Sequence, residues 1–243
     1  MFRGGILAKK IDKDLIDPAV EPDGEKAHRA TRALLGGVPI MGTALVEAFS
    51  EIIEPPMARR KTKWMRQVTD AINDLYEKGA ITEGALQENE KFFTTLVHAS
   101  NVALKNHQSE KIEALRNAVI NSALPGAPDD SLQQIFLNLV DVCTVWHLAF
   151  LSLFQDPNRW AAEHQLPFPD GWNMGGLTQV IEHAFPELRG RSGFYGVIWK
   201  DLYQRGLIST DGLGTTMTLQ EMLSKRTTGL GDAFVQFISA PNF

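Results

Sequence analysis

The sequence predicts a mostly α fold: a helical bundle around a central apolar helix, followed by a small C-terminal module with a different grammar. Three observations carry this. Apolar residues recur at the 3–4-residue spacing of a helix face through most of the chain. Glycine and proline punctuate it at helical rather than strand lengths. One segment, "IFLNLVDVCTVWHLAFLSLF", is apolar nearly all round, so the amphipathic helices beside it have something to cover.

The elements follow in order. Residues 1–24 mix charges with Pro18, Pro22 and Gly24 and read as an N-terminal arm. A helix is expected from near Glu25 to the pair Gly36-Gly37, and a second from about Gly42 to Glu54, closed by Pro55-Pro56 because the residue before proline avoids the helical region. A third, about 57–78, stripes Trp64, Met65, Val68, Ile72, Leu75 and Tyr76, with Gly79 placed to cap it. A fourth, about 88–106, stripes Phe92, Phe93, Leu96, Val97, Ala103 and Leu104. The fifth starts with Ser109 as its cap and stripes Ile112, Leu115, Val119 and Ile120.

After "LPGAPDD", with Asp129 and Asp130 suited to a helix N-terminus, comes the apolar helix Ser131 to Phe154, ended by Asp156-Pro157. It is read as a buried pillar rather than a membrane span. Asn138, Asp141 and His147 lie within it, and an ionised Asp at a bilayer centre costs about 2.5–3.5 kcal/mol on the gentlest scale. Asp141 is expected to be a satisfied buried carboxylate, with a part in a functional polar site as the alternative. The bundle is thus expected over 25–165 and the C-terminal module over 175–243.

Composition bounds the function. The chain has 243 residues, 44% hydrophobic and 22% charged, with a formal net charge of -5. That is ordinary globular material and a poor match to an electrostatic nucleic-acid binder. A single cysteine, Cys143, forbids an internal disulfide and suggests a reducing cytoplasm. Charges follow the short N-terminal apolar patch at once, unlike a signal peptide.

The C-terminal stretch contains a short helix in "GGLTQVIEHAFPEL", a second in "SGFYGVIWKDLYQRGLIST" ending at Gly206, and a closing segment "RTTGLGDAFVQFI" with Leu230, Phe234, Phe237 and Ile238 on one face. This order resembles the back half of a winged helix-turn-helix domain over about 175–239, which implies that Leu207 and Ile208 begin the first wing strand. The wing region "STDGLGTTMTLQEMLSK" departs from that pattern, because it is long and reads as helix near Leu219 to Leu223. From Glu187 onward there are six basic and five acidic side chains, a net of +1, which gives little means to neutralise phosphates. A winged helix used for packing or protein contact is therefore expected, with a DNA-binding transcriptional regulator as the alternative function.

No constellation reads as catalytic. Cys143 and His147 are four apart and would share a helix face, yet burial raises a thiol pKa and leaves the cysteine inert. No histidine or cysteine pair has metal-site spacing, and neither "RGGIL" nor "GLGDAF" has the phosphate-loop form. The expectation is a non-enzymatic chain with no cofactor and no metal. Arg59, Arg60, Lys61, Lys63 and Arg66, a basic cluster with no acid among them beside an apolar run too short to span hydrocarbon, read first as a solvated face on a helix whose other side, Trp64 and Met65, is core, and otherwise as the best contact candidates of the chain. The run carries small residues, Gly36, Gly37, Gly42, Ala44 and Ala48, suited to close helix contact. A protein partner is expected, with an anionic membrane surface as a further candidate.

The order "VPIMGTALVEAFSEIIEPPMARRKTKWMRQVTDAINDL", then "EKIEALRNAVINSALPG", is similar to a group of bacterial helical proteins that includes the Abi-alpha abortive-infection family. The similarity covers about residues 33–125. It implies a helical, non-enzymatic bacterial protein tied to phage defence; the expected place, the cytoplasm with at most a peripheral contact at the inner membrane, comes instead from the lone cysteine and the basic cluster. It brings no catalytic residues with it.

Overall fold

The computed structural model describes the backbone of residues 43–241 and the side chains of residues 53–241. The expected arm, the helix after Glu25 and the small-residue surface from Gly36 to Ala48 lie outside what it describes. The fold is mostly α, with eleven α-helices among the described residues. The chain divides into two compact units between Ala127 and Pro128. The apolar segment therefore goes with the C-terminal elements, and the boundary lies well before the expected one near residues 165–175.

The first unit is a bundle of three main helices: α1 (Thr43–Glu77), α3 (Glu90–Lys105) and α4 (Ser109–Ala123), with the short α2 (Glu83–Gln87) between the first two. Each of the three main helices packs against the other two. α1 corrects the sequence reading, because it runs straight through Pro55 and Pro56. The two prolines remove two backbone donors, but both are exposed, so solvent can take the freed carbonyls and the helix need not stop. Its C-terminus is as expected: Gly79 adopts φ +65°, its N–H donates to Tyr76 O, and Ala80 N–H donates back to Leu75 O.

The core stripe of α1 is Trp64, Val68, Ala71, Ile72 and Leu75, all buried at i, i+4, i+7, i+8 and i+11. On α3 the buried face is rotated from the expected one. Phe92, Thr95, Ala99, Val102 and Ala103 face inward, while Phe93 and Val97 are exposed. The small residues Ala99 and Ala103 sit where close helix approach is needed, and apolar pattern alone did not separate them from the larger neighbours. α4 begins at Ser109, but its N-cap is Gln108, whose side chain makes no capping bond.

The second unit corrects the pillar. The expected single helix is two, α5 (Asp130–Val142) and α6 (Val145–Gln155), meeting at a 120° bend. Cys143 and Thr144 have extended backbone there (ψ 140° and 168°). The sequence at the break, Val140, Val142, Thr144 and Val145, is rich in β-branched residues, which give up side-chain freedom in a helix. The break is then sealed by side chain: His147 Nδ1 accepts the Thr144 N–H at 3.1 Å, a histidine version of the capping box. Asp129 caps α5 by accepting from Leu132 N–H at 3.1 Å.

α6 retains the central role. It packs against α7 (Pro157–Glu163), α9 (Ser192–Gln204) and α11 (Gly229–Ile238), and buries His147, Phe150, Leu151, Leu153 and Phe154. Phe136 of α5 sits between Phe234 and Phe237 of α11, with ring centroids 5.5 and 5.6 Å away. Trp146, in contrast, is half-buried, in a cluster with Phe150 and Phe185.

The C-terminal region has helices where the sequence places them: α8 (Leu177–Ala184), a 3-10 turn at Pro186–Leu188, and α9, after which Gly206 turns the chain with φ +70°. A pair of wing strands is not found among the described residues. Ile208 makes one antiparallel bridge with Thr227, and the one sheet among the described residues pairs β1 (Met174–Gly175) with β2 (Met217–Thr218). α10 (Leu219–Met222) occupies part of the expected wing, capped by Thr218 and Glu221 in a reciprocal pair.

Candidate functional site

All five basic candidates on α1 are exposed, but they do not share one face. At about 100° per residue, Arg59, Lys63 and Arg66 fall on one stripe, opposite the buried stripe that starts at Trp64. Arg60 lies on its flank, where its Nη1 donates to Leu104 O at 3.4 Å. Lys61 projects on the core side of the helix, one turn before Trp64, and remains exposed. The outward stripe follows from sequence spacing: i, i+4 and i+7 on a helix whose other side is packed.

Beside this stripe the first unit has a cleft of about 350 Å³. Arg60, Lys63, Trp64 and Gln67 of α1 line one wall, Ala103, Asn106 and His107 the end of α3 and the turn after it, and Ser109, Ile112, Glu113 and Arg116 the wall from α4. Trp64 is fixed by its own hydrogen bond, Nε1–H to Ser100 Oγ at 2.8 Å. Arg116 pairs with Glu113 at 3.6 Å and donates to Asn117 Oδ1 at 3.2 Å. Two polar atoms of this lining, Gln67 Oε1 and Arg116 Nε, are shielded from solvent without a hydrogen-bond partner. Each such orphan costs about 1–3 kcal/mol. Sequence reasoning missed His107 and Arg116, because only the folding of α4 against α1 brings them to the basic segment.

The second unit holds the residues weighed as catalytic. Cys143 and His147 flank the helix break, so the shared helix face inferred from their spacing does not exist. Cys143 is buried, where a thiolate is disfavoured. The His147 ring is used structurally. Its Nδ1 accepts the Thr144 N–H and lies 2.8 Å from the Thr144 hydroxyl, so the proton of the neutral ring sits on Nε2, 3.2 Å from Asp201 Oδ2. Asp201 is held by Arg205 Nε–H at 2.7 Å. That hydrogen bond, with the positive charge behind it, keeps the Asp201 carboxyl below its ordinary range despite partial burial. The set ties α6 to α9 and leaves neither ring nitrogen open to the thiol. Asp141 is half-buried.

A pH dependence follows. Because the folded pKa of Asp201 is lowered, its contribution to stability is complete above the unfolded value of about 4 and is lost as pH falls through the lower folded value. Asp201→Asn should be less stable than wild type at neutral pH. The gap in Tm should close as pH drops below about 4. A gap independent of pH would show that the loss comes from packing and not from the ionised carboxylate.

Tyr195 of α9 donates to Glu182 Oε1 at 2.9 Å, and burial together with that bond pushes its phenol up to about 12. Trp199 Nε1–H donates to Thr210 O at 2.9 Å. On α9 the buried residues are Tyr195, Ile198, Trp199 and Leu202, and the exposed large apolar ones are Phe194, Val197 and Tyr203.

Among the described residues, no group of three or more His, Cys, Asp or Glu side chains is placed to hold a metal ion. No single described helix is long and apolar enough to cross a membrane; α5 and α6 meet the length and composition only as a bent pair. No family model, curated protein or solved structure matches the chain.

Proposed function

We propose that this chain is a non-enzymatic helical interaction protein of bacterial phage defence, which meets an anionic counterpart through the basic face of α1. The observation that carries the reading is the alignment of Arg59, Lys63 and Arg66 on the exposed stripe of a long helix, opposite its buried one. Cations in the first turn of a helix oppose its dipole, but α1 begins at Thr43, well before Arg59, so these cations bear no such cost. An exposed, rigid row of charge is instead suited to an acidic protein surface or to the anionic inner leaflet, at about 1 kcal/mol per cation near a charged membrane. The defence role is supported by the similarity of residues 33–125 to abortive-infection proteins.

Vesicle flotation tests the contact. Arg59→Gln combined with Arg66→Gln should weaken binding to anionic vesicles about thirtyfold, since two cations near the surface are worth about 2 kcal/mol. Stability should barely change, because both side chains are exposed. Undiminished binding by the double variant would refute the α1 face as the contact surface. Plating phage on cells that express the chain tests the defence role: reduced plaque number supports it, and the double variant should lose the protection.

A further inference from the structure

The cleft between α1, α3 and α4 is a second feature, which shares Lys63 with the outward stripe. Four side chains able to carry positive charge converge on it from three elements: Arg60 and Lys63, His107, and Arg116. Against them stands one carboxylate in the lining, Glu113, already 3.6 Å from Arg116. The floor is apolar, with Trp64 and Ala103 buried and Ile112 half-buried.

Guanidinium donors are only partly used here. Arg60 makes one long bond to Leu104 O, and Arg116 makes one to Asn117 and pairs with Glu113, out of five N–H donors on each group. Arg116 Nε is shielded without an acceptor, and Gln67 Oε1 is shielded without a donor. A ligand that supplies acceptor oxygens would meet the open N–H donors that Arg60 and Arg116 bring to this lining. We propose that this cleft binds a phosphomonoester group, with Arg60, Lys63, His107 and Arg116 on its oxygens and the organic part over Trp64, Ala103 and Ile112. Planar forked guanidinium groups match phosphate oxygens two at a time, which a chloride ion cannot reward. The volume of about 350 Å³ leaves room for the organic part. Ser109, the first residue of α4, stands in the lining, and its hydroxyl donates to Glu110 Oε2 at 3.1 Å.

Calorimetric titration of the full chain with inorganic phosphate tests this. Millimolar phosphate should bind where chloride does not, and Arg116→Gln should weaken binding about tenfold or more. Arg60→Gln and His107→Gln are exposed-site variants that should also weaken it, and they serve if Arg116→Gln fails to fold. The Arg59→Gln, Arg66→Gln variant should bind phosphate as wild type does, which separates this site from the α1 stripe. No phosphate binding by the wild type, or unchanged binding in the cleft variants, would overturn the proposal. Vesicles containing phosphatidic acid distinguish the source of the group. Displacement of the chain from them by free phosphate assigns the cleft to a lipid headgroup, and indifference to phosphate assigns it to a soluble phosphomonoester.

Discussion

Trp64→Ala is expected to destabilise the first unit by about 3–5 kcal/mol, the usual cost of emptying a buried aromatic site. Trp64 is 3% exposed, opens the core stripe of α1, and uses its indole N–H on Ser100 Oγ. Truncation therefore leaves a cavity and strips Ser100 Oγ of a partner in one step. Ser100 Oγ itself donates to Leu96 O, so it is not wholly orphaned, and Trp64→Phe should recover most of the volume while losing only the hydrogen bond. Chemical denaturation followed by far-UV circular dichroism checks both. A Trp64→Ala midpoint equal to that of wild type would mean that α1 is not packed on α3 and α4 as described.

Gly231→Ala is expected to cost about 3 kcal/mol, near the top of the range for overpacking. The sign is the informative part. Alanine normally stabilises a helix relative to glycine by about 1 kcal/mol, and Gly231 has ordinary helical backbone in the first turn of α11. Here a Cβ would stand 2.1 Å from Leu207 O. That carbonyl cannot swing away cheaply, since it accepts Thr228 N–H at 3.0 Å, and the Thr228 hydroxyl in turn donates to Gly206 O at 2.6 Å. Nothing lies within 4 Å of the Cβ position at Gly229, so Gly229→Ala should be neutral or slightly stabilising in the same thermal melts. Equal effects from the two substitutions would show that the chain after Gly206 does not run against α11.

These two residues show what the sequence could and could not disclose. Trp64 was legible, because its partners Val68, Ile72 and Leu75 recur on the same helix and periodicity reads a single helix well. Gly231 was not. "GLGDAF" reads as part of the closing apolar segment and lacks the phosphate-loop form, but its second glycine lets the Gly206–Leu207 backbone approach a helix, and no local pattern announces a close approach between segments more than twenty residues apart. The break at Cys143–Thr144 was hidden for a related reason. The one local cue at the interruption, Thr144, is a single N-cap type residue inside a long apolar run, and the His147 side chain that seals it reads in sequence as one more residue inside a helix. The continuity of α1 through Pro55 and Pro56 is the opposite error: a strong local rule was outweighed because both prolines face solvent.

The functional surface was legible in part. The five basic residues were picked out by composition, but only helix geometry sorts them into an outward stripe, a cleft-facing Arg60 and a separate Lys61. His107 and Arg116 joined them only through tertiary packing, which a single sequence does not encode in any short motif.

The central claim is that α1 meets its counterpart by exposed charge and not by insertion, and a salt series on vesicle binding tests it most directly. Binding should occur on anionic but not neutral vesicles and should fall steeply as ionic strength rises past about 0.1 M, where charges are screened over about 10 Å. Salt-resistant binding to neutral vesicles would contradict the account and point to insertion of an apolar helix.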